Sequence, residues 1–572
     1  MSVFFNGQLL VSPTTASVVE DSAMANRNLS VGNVVAYIGR SEGGKPATAL
    51  RFGSPDEAKA ALRGGELLTA VTKAFAPSTQ TGGPTTVIAI RVNPSTQASL
   101  TLKDASSSGV INLVSTDYGL HTNQIKLKVE SGSSVGKKLT TQFGNSYYTV
   151  DNLTRNALSV QYTGSEATAT MSITGTSVVL KAPAATDVAN IDLNSFKTIQ
   201  QLVDRINSIP DFSASVLDGN NNRTALNGLD FVAAQDVKAA AYTVKAELQA
   251  IVDWINSAGE GFVTATREVG AGSVPANIPF TYLAGGSDGV VTNGEWSNAF
   301  TALQGTDAQW IVPLSSEPSI HAMADAHVHF MSNVGKMERR AIVGTASGTS
   351  DADAIAAAKD LNSDRTSLVH LGYYDYDKSG DLVLFEPFQT AALIAGMFSG
   401  VNPGTPLTNK TIAVRGLERD LRNPTDTDPL ILGGVLCVEN TQEGYKVVQS
   451  ISTWLINNNY NRVEQSTGVA LDFVVRNVRQ AVDVLRGQKG NPLVLSRAIS
   501  ITESALRELA REEPQGPGVI VGNAESPAYR NIQASLEGDV LRIQFECSPV
   551  IPVNYVLTTV FAVPFSGVSV AI

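Results

Sequence analysis

Asp375, Asp377, Ser379, Asp381 and Glu386 put hard oxygens at alternate and terminal positions of a loop with Gly380 at its sixth place. That spacing is close to an EF-hand loop, in which such oxygens wrap one Ca²⁺, with Ser379 standing where Asp or Asn is usual. The flanks, 368–374 and 382–385, both read as strands. A β-hairpin turned at Lys378-Ser379-Gly380 therefore accounts for the same residues by ordinary turn chemistry and is the expected form. Gly285-Gly286-Ser287-Asp288-Gly289 matches the G-x-S-x-G nucleophile elbow. The elbow needs a strand running straight into it and a helix straight out of it. Here Thr281 to Ala284 is short and the next helix starts only near Thr292, so an interdomain loop is expected. His321, Asp325 and His329 fall at i, i+4 and i+8 of one helix, a spacing that can ligate a transition metal. The plainer expectation is a solvated face, with His327 packed on the apolar stripe of Ile320, Met323, Phe330 and Val334. The cluster Lys336-Met337-Glu338-Arg339-Arg340 reads as a solvated connection. Arg476 and Arg479 lie on the polar side of a helix expected over 469–485, with Arg486 just past its end. Leu471, Val474, Val475, Val478, Val482 and Leu485 are its expected inward face. The sequence contains no G-x-x-x-x-G-K-[ST] loop, C-x-x-C pair or G-x-G-x-x-G fingerprint. No catalytic, metal or cofactor residue is assigned, and no cofactor is expected.

Composition sets the frame for these residues. The chain has 572 residues, enough for three to four domains at roughly 150 residues each. It is 43% hydrophobic and 17% charged, so it can build cores and is not a disordered chain. The net charge of −11 argues against nucleic acid or an anionic membrane surface as the main partner. Two cysteines, Cys437 and Cys547, are too few for a disulfide framework, and both read as buried thiols. The sequence shows neither an apolar run of membrane-spanning length nor the basic start of a signal peptide.

The elements that must position these residues change character along the chain. Residues 1–30 read as an arm. Residues 31–94 read as a β-α-α-β unit: a strand over 31–38, a helix opened by the capping signal Ser54-Pro55-Asp56-Glu57, a helix over 66–76 and a strand over 87–92. Residues 95–280 are rich in Ser, Thr and Gly with short alternating segments, and read as a β-rich insertion of sandwich or barrel form. Two helices are expected near its end, one capped by Thr198 and one over 239–255. Residues 281–387 alternate helix and strand: a helix boxed by Thr292 and Glu295, strands 310–313, 340–344 and 367–374, and helices 319–334 and 351–361. That alternation predicts an α/β layer with a largely parallel sheet, which 87–92 can join. Residues 388–564 carry a helix over 390–398, strands 434–439 and 445–452, helices 469–485 and 501–511, and alternating strands over 541–546 and 553–563. Residues 565–572 form a last short β-like arm. The fold class is thus multidomain α+β/α/β, with a β-rich insertion.

The ends carry the most information. Val3, Phe4, Phe5, Leu9 and Leu10 at one terminus, and Phe565, Val568, Val570 and Ile572 at the other, are apolar and strand-competent. Neither end is expected to pair within a compact domain. Unpaired apolar edges invite strand addition from other chains, so these residues are the candidate inter-subunit contacts. If such contacts do not close a point group, the product is a filament or tube.

The order of segments resembles the contractile phage tail sheath family. The resemblance rests on 34–44 (Val-Val-Ala-Tyr-Ile-Gly-Arg-Ser-Glu-Gly-Gly), 52–68 with Gly64-Gly65-Glu66-Leu67, and the link Leu283 to Gly289. It continues through 390–400 with Gly404 and Pro406, 450–485 with its Ser-Ile-Ser-Thr-Trp-Leu start, and 553–572. At 448–450, Val-Gln-Ser stands where many members carry an Arg-rich strand. The resemblance implies a structural subunit and not an enzyme, forming hexameric rings stacked helically around a tail tube protein. It implies an inner α/β sheath core, an outward-facing insertion, and terminal arms that donate strands to neighbours. Arg476, Arg479 and Arg486 would be a tube-facing set. Contraction would drive the tube through the host envelope, with baseplate and tail terminator proteins as further partners. The place implied is the virion tail, assembled in the host bacterial cytoplasm. The other readings of the residues are a different self-assembling tube or surface-layer protein, and an α/β hydrolase-type enzyme.

Overall fold

The computed structural model describes residues 3–5, 8–10, 34–257 and 261–563. Its centre is a six-stranded sheet built from distant parts of the chain. The spatial order is Thr366–Val369, Arg340–Gly344, Trp310–Pro313, Val34–Gly39, Thr86–Arg91 and Ala49–Phe52. All neighbours are parallel except the last pair. The inner strands are buried along nearly their whole length, as expected for parallel strands covered on both faces. Ala49–Phe52 is an antiparallel edge strand that the β-α-α-β reading did not contain. With only four residues, one of them the exposed Arg51, it gives little periodic signal.

Helices cover both faces. Ser54 caps Pro55–Leu62 by accepting from the Glu57 amide, while the Glu57 carboxylate accepts from Gly53 N. Glu66–Ala74 buries Leu67, Ala70, Val71 and Ala74 on one face of the sheet, together with the almost wholly buried helix Pro387–Gly400. There Trp310 stacks on Phe398 with ring centroids 4.3 Å apart. Gly344 lets this helix approach, because a Cβ at that position would stand 2.2 Å from Phe388 N. The other face carries Asn293–Gln304, Pro318–Asn333 and Asp351–Leu361. The first of these has the expected Thr292–Glu295 capping box.

Residues 99–282 form four small antiparallel sheets around two apolar clusters. Ile199–Asn207 is capped by Thr198 as expected. The helix expected over 239–255 is shorter. Tyr242–Lys245 pairs as a strand with Asn156–Tyr162, and the helix starts at Glu247, where Asp230 accepts from its first amides.

The last third differs in detail. The expected strand 367–374 breaks into Thr366–Val369 and Tyr373–Tyr376, which belong to different sheets. The strands expected at 434–439 and 445–452 shorten to Val438–Thr441 and Gly444–Val447. The long helix runs Gln465–Val482 and ends in a 3-10 turn, Asp483–Leu485. It buries Val474 and Val478, whereas Val475 is exposed. Its partner Pro492–Leu509 begins well before 501, with Asn491 as cap and Pro492 preset at the first helical position. These two helices share a separate apolar cluster. The hairpin Tyr529–Glu537 and Val540–Cys547 packs on it through Tyr529, Ile532, Phe545 and Cys547. Cys437 is buried as expected, but Cys547 is only half-buried.

Candidate assembly interface

The two chain ends behave differently. Val3–Phe5 and Gln8–Leu10 pair antiparallel with each other, in the register Val3↔Leu10 and Phe4↔Leu9. The segment holding Val3, Phe4, Phe5, Leu9 and Leu10 thus pairs its backbone with itself, and no other described strand pairs with it. Phe565, Val568, Val570 and Ile572 lie outside the described residues.

The strand expected at 553–563 does not form. Its alternation is real, but no edge among the described residues pairs with it, and residues 551–563 have no regular structure. Val553, Tyr555, Val556, Leu557, Val560 and Phe561 are all at least 79% exposed. The segment leaves the body from a definite anchor. Val550 N donates to Val519 O at 3.1 Å, and Thr467 Oγ1 donates to Val550 O at 3.2 Å. Asn554 then donates to the Glu464 carboxylate at 3.3 Å and accepts from Thr408 at 3.1 Å. Glu464 is buried. Burial raises its pKa, opposed by hydrogen bonds from Ser450, Gln449, Asn554 and Ser466. Beside this root stands the hairpin 529–547, whose two strands pair only with each other among the described residues, leaving both outer edges open.

The hairpin and tail ride on the two C-terminal helices, and an ionic seam fastens those helices to the parallel sheet. Arg340 and Arg365 precede or open adjacent strands, and both reach Asp472 of Gln465–Val482, at 2.9 Å from Arg340 Nε and 2.9 Å from Arg365 Nη2. Arg340 also donates to Gln465 Oε1 and to Asp364 O. Gly468 makes room for it, since a Cβ there would meet the guanidinium at 2.2 Å. Burial lowers the Arg340 pKa against the pull of Asp472. Arg365 is also desolvated, yet Asp472 outweighs this and holds its pKa up. Arg339 is 1% exposed and donates to Thr306 O, Leu303 O and His327 Nε2. Burial brings it down to about 10. A cavity of 30 Å³ lies along this seam, lined among others by Trp310, Arg340 and Asp472.

The expectation of a solvated connection at 336–340 is therefore wrong for Glu338, Arg339 and Arg340, which are all buried. The sequence signal was present but ambiguous. Two arginines sit flush against the apolar run Ala341-Ile342-Val343, and Gly468 and Asp472 are one helical turn apart on a facing helix. Arg476 and Arg479 are also turned toward the chain's own sheet layer. Arg476 pairs with Asp307 at 2.6 Å and lies near Glu338, and Arg479 pairs with Glu338. Only Arg486 of the three stands out in solvent, beside Asp483.

The remaining motifs resolve into structure. Tyr373–Tyr376 and Leu382–Phe385 form the expected hairpin. In its turn Asp377 accepts from the amides of Ser379 and Asp381, Asp375 pairs with Lys73, and Glu386 accepts from Ser347 N. In the G-x-S-x-G link, Ser287 exchanges a hydrogen bond with Thr96 at 2.9 Å, and Asp288 pairs at 2.9 Å with the fully buried Arg91. The link thus locks 91–96 to 284–288. His321 is buried and bonded to Ser315 O at 2.9 Å, not on a solvated face. His329 sits between Asp325 and Asp364, whose carboxylates push its pKa up to about 10. His327 packs against Phe300, and burial with Arg339 beside it pushes its pKa down to about 3. It is a core histidine as expected, but Phe330 and Val334 of its supposed stripe are exposed. Among the described residues no group of three or more His, Cys, Asp or Glu side chains is placed to hold a metal ion.

The fold as a whole defines a class. It matches the crystal structure of a sheath tail protein from Listeria innocua with a TM-score of 0.54, at 14% identity, covering 91% of this chain and 92% of that one. Sequence similarity makes the class specific. The chain is 29% identical to the tail sheath protein of Bacillus phage SP01 over 99% of its own length and 98% of that protein. It is 24% identical to the tail sheath protein of Staphylococcus phage Twort, with 94% of each covered. No family model matches the chain. Its role is that of a phage tail sheath subunit, a structural protein and not an enzyme.

Proposed function

We propose that the chain polymerises as stacked hexameric rings around a tail tube protein and contracts to drive that tube through the host envelope. The observation that carries the reading is the segment 551–563. A row of alternating apolar residues, anchored at Asn554, is exposed beside a two-stranded hairpin with open edges. No described strand of the same chain covers this segment, and another chain can give it both a strand partner and a covered apolar face. The terminal residues Phe565, Val568, Val570 and Ile572 continue it, and the hairpin holding Val3, Phe4, Phe5, Leu9 and Leu10 is a second candidate contact between subunits. These arms keep the lattice connected while the subunits rotate. In this arrangement 31–94 and 388–564 lie on the inner side of the sheath, 281–387 is the α/β middle domain, and the insertion 95–280 faces outward. Of the arginines considered for the tube, Arg486 is the one free to face it. Contraction draws its energy from rearranged interfaces. Baseplate and tail terminator proteins cap the two ends of the sheath, and the place of action is the virion tail after assembly in the host cytoplasm. Electron microscopy of the purified chain tests this. Hollow striated tubes with six-fold rings are expected, and a monodisperse monomer at high concentration overturns the reading.

A further inference from the structure

Among the described residues, Asn554 is the last in the chain whose hydrogen bonds reach the body. It is half-buried, while Val553 and Tyr555 on either side are each 79% exposed. In an extended chain successive side chains point to opposite faces. A body-facing Asn554 therefore turns the row Val553, Tyr555, Leu557, Thr559, Phe561 and Val563 the other way. The root before it is closely placed. Val521 N donates to Ser548 O at 2.9 Å, and Val550 packs on Gly404, where a Cβ would meet Val550 Cγ2 at 2.7 Å.

The partner of Asn554 is a buried charge. Glu464 is 1% exposed, and among the described residues no salt bridge is made to it. Its oxygens accept from Ser450 Oγ at 2.5 Å, Gln449 Nε2 at 3.2 Å, Ser466 Oγ at 3.4 Å and Asn554 Nδ2 at 3.3 Å. All four donors are neutral. A buried carboxylate without a counter-ion is costly and depends on each donor it has. Asn554 is the one donor of the four that lies on the tail. A bare tether would not need that charge, since Thr467 already bonds the root at Val550 O.

We infer that Glu464 is a positioning residue for assembly: by requiring the Asn554 donor it fixes the register of the tail, and so which face of 553–563 is offered to the neighbouring subunit. A slip of one residue exchanges the two faces. It also sets Val553 or Tyr555 against Glu464 and takes away the amide donor that the carboxylate needs. The inference rests on the proposal that the tail joins subunits.

Sedimentation velocity over a concentration series tests it. Asn554→Asp sets a second carboxylate against Glu464 with little change of shape, and is expected to raise the concentration needed for polymers by at least about tenfold at neutral pH. Asn554→Ala, which removes the donor and adds no charge, is expected to fall between this variant and the wild type. Adding Glu464→Gln to Asn554→Asp is expected to bring the concentration back to within about threefold of the wild type, because the new amide donates to the new carboxylate. General damage to the fold gives no such rescue. Wild-type polymerisation by both single variants overturns the inference, and so does a double variant no better than Asn554→Asp. Either result, with a chain ending at Asn554 remaining monomeric, leaves the tail reading intact. Full-sized polymers from that shorter chain overturn the reading and the inference together.

Discussion

Removing the Asp472 carboxylate is the sharpest test of how the C-terminal helices are held. Asp472→Ala leaves Arg340 and Arg365, with side chains 5% and 16% exposed, facing each other without their shared counter-ion. Breaking a buried pair by deleting one partner costs about 3–5 kcal/mol, most of it the penalty of the stranded charge. Some of that cost can be relieved, because Arg340 keeps Gln465 Oε1 and Asp364 O, and Arg365 can turn toward water. The lower end, about 3 kcal/mol, is the expected value. A chain of this size does not unfold in one step, so a global melting curve is the wrong assay. Native-state hydrogen exchange reads the local opening directly. Amides of Gln465–Val482 and Pro492–Leu509 are expected to exchange about a hundredfold faster, the equivalent of roughly 3 kcal/mol, while those of 126–282 stay unchanged. A double-mutant cycle with Arg365→Leu should show strong coupling, because once Asp472 is gone the second deletion relieves repulsion. Acceleration below about fivefold, or spread evenly over the chain, would falsify the view that this seam fastens the two parts.

Two further outcomes follow from named groups. His329 has a folded pKa of about 10 against an ordinary 6.5, set by Asp325 and Asp364. Its contribution is complete below pH 6.5 and is lost as pH rises toward 10, so urea stability should fall between those values and the slope should shrink in His329→Gln; equal slopes in both proteins would rule the assignment out. EDTA should leave thermal stability unchanged, because the carboxylates of 375–386 that contact the fold do so through Lys73 and backbone amides; a large drop in melting temperature would reinstate a calcium loop there.

Much of the parallel sheet could be read from the sequence because strands buried on both faces are short continuous apolar runs between capped helices. Trp310–Pro313, Arg340–Gly344 and Asp351–Leu361 fall where expected. Edge elements were not legible. Ala49–Phe52 and Tyr529–Glu537 bury little, so their side chains carry weak periodicity. The segment 553–563 teaches the opposite lesson. Its alternation is clean, but a strand needs a partner edge, and alternation cannot say which chain supplies one. The ionic seam was hidden for another reason. Arg340 and Asp472 are 132 residues apart, and a charge pair of that separation leaves no periodic trace. Helical periodicity places Arg476 and Arg479 on the polar side of their helix, whereas Glu338 on a facing segment turns them toward the chain's own sheet layer.

The central claim is that the chain assembles through its ends. Sedimentation velocity on the full chain and on a chain ending at Asn554 tests it most directly. The anchor to Glu464 and Thr408 remains in the shorter chain, and none of the described residues 555–563 belongs to an apolar cluster. The full chain is expected to form large polymers and the truncated one a folded monomer. Polymers of the same size from the truncated chain would contradict the account.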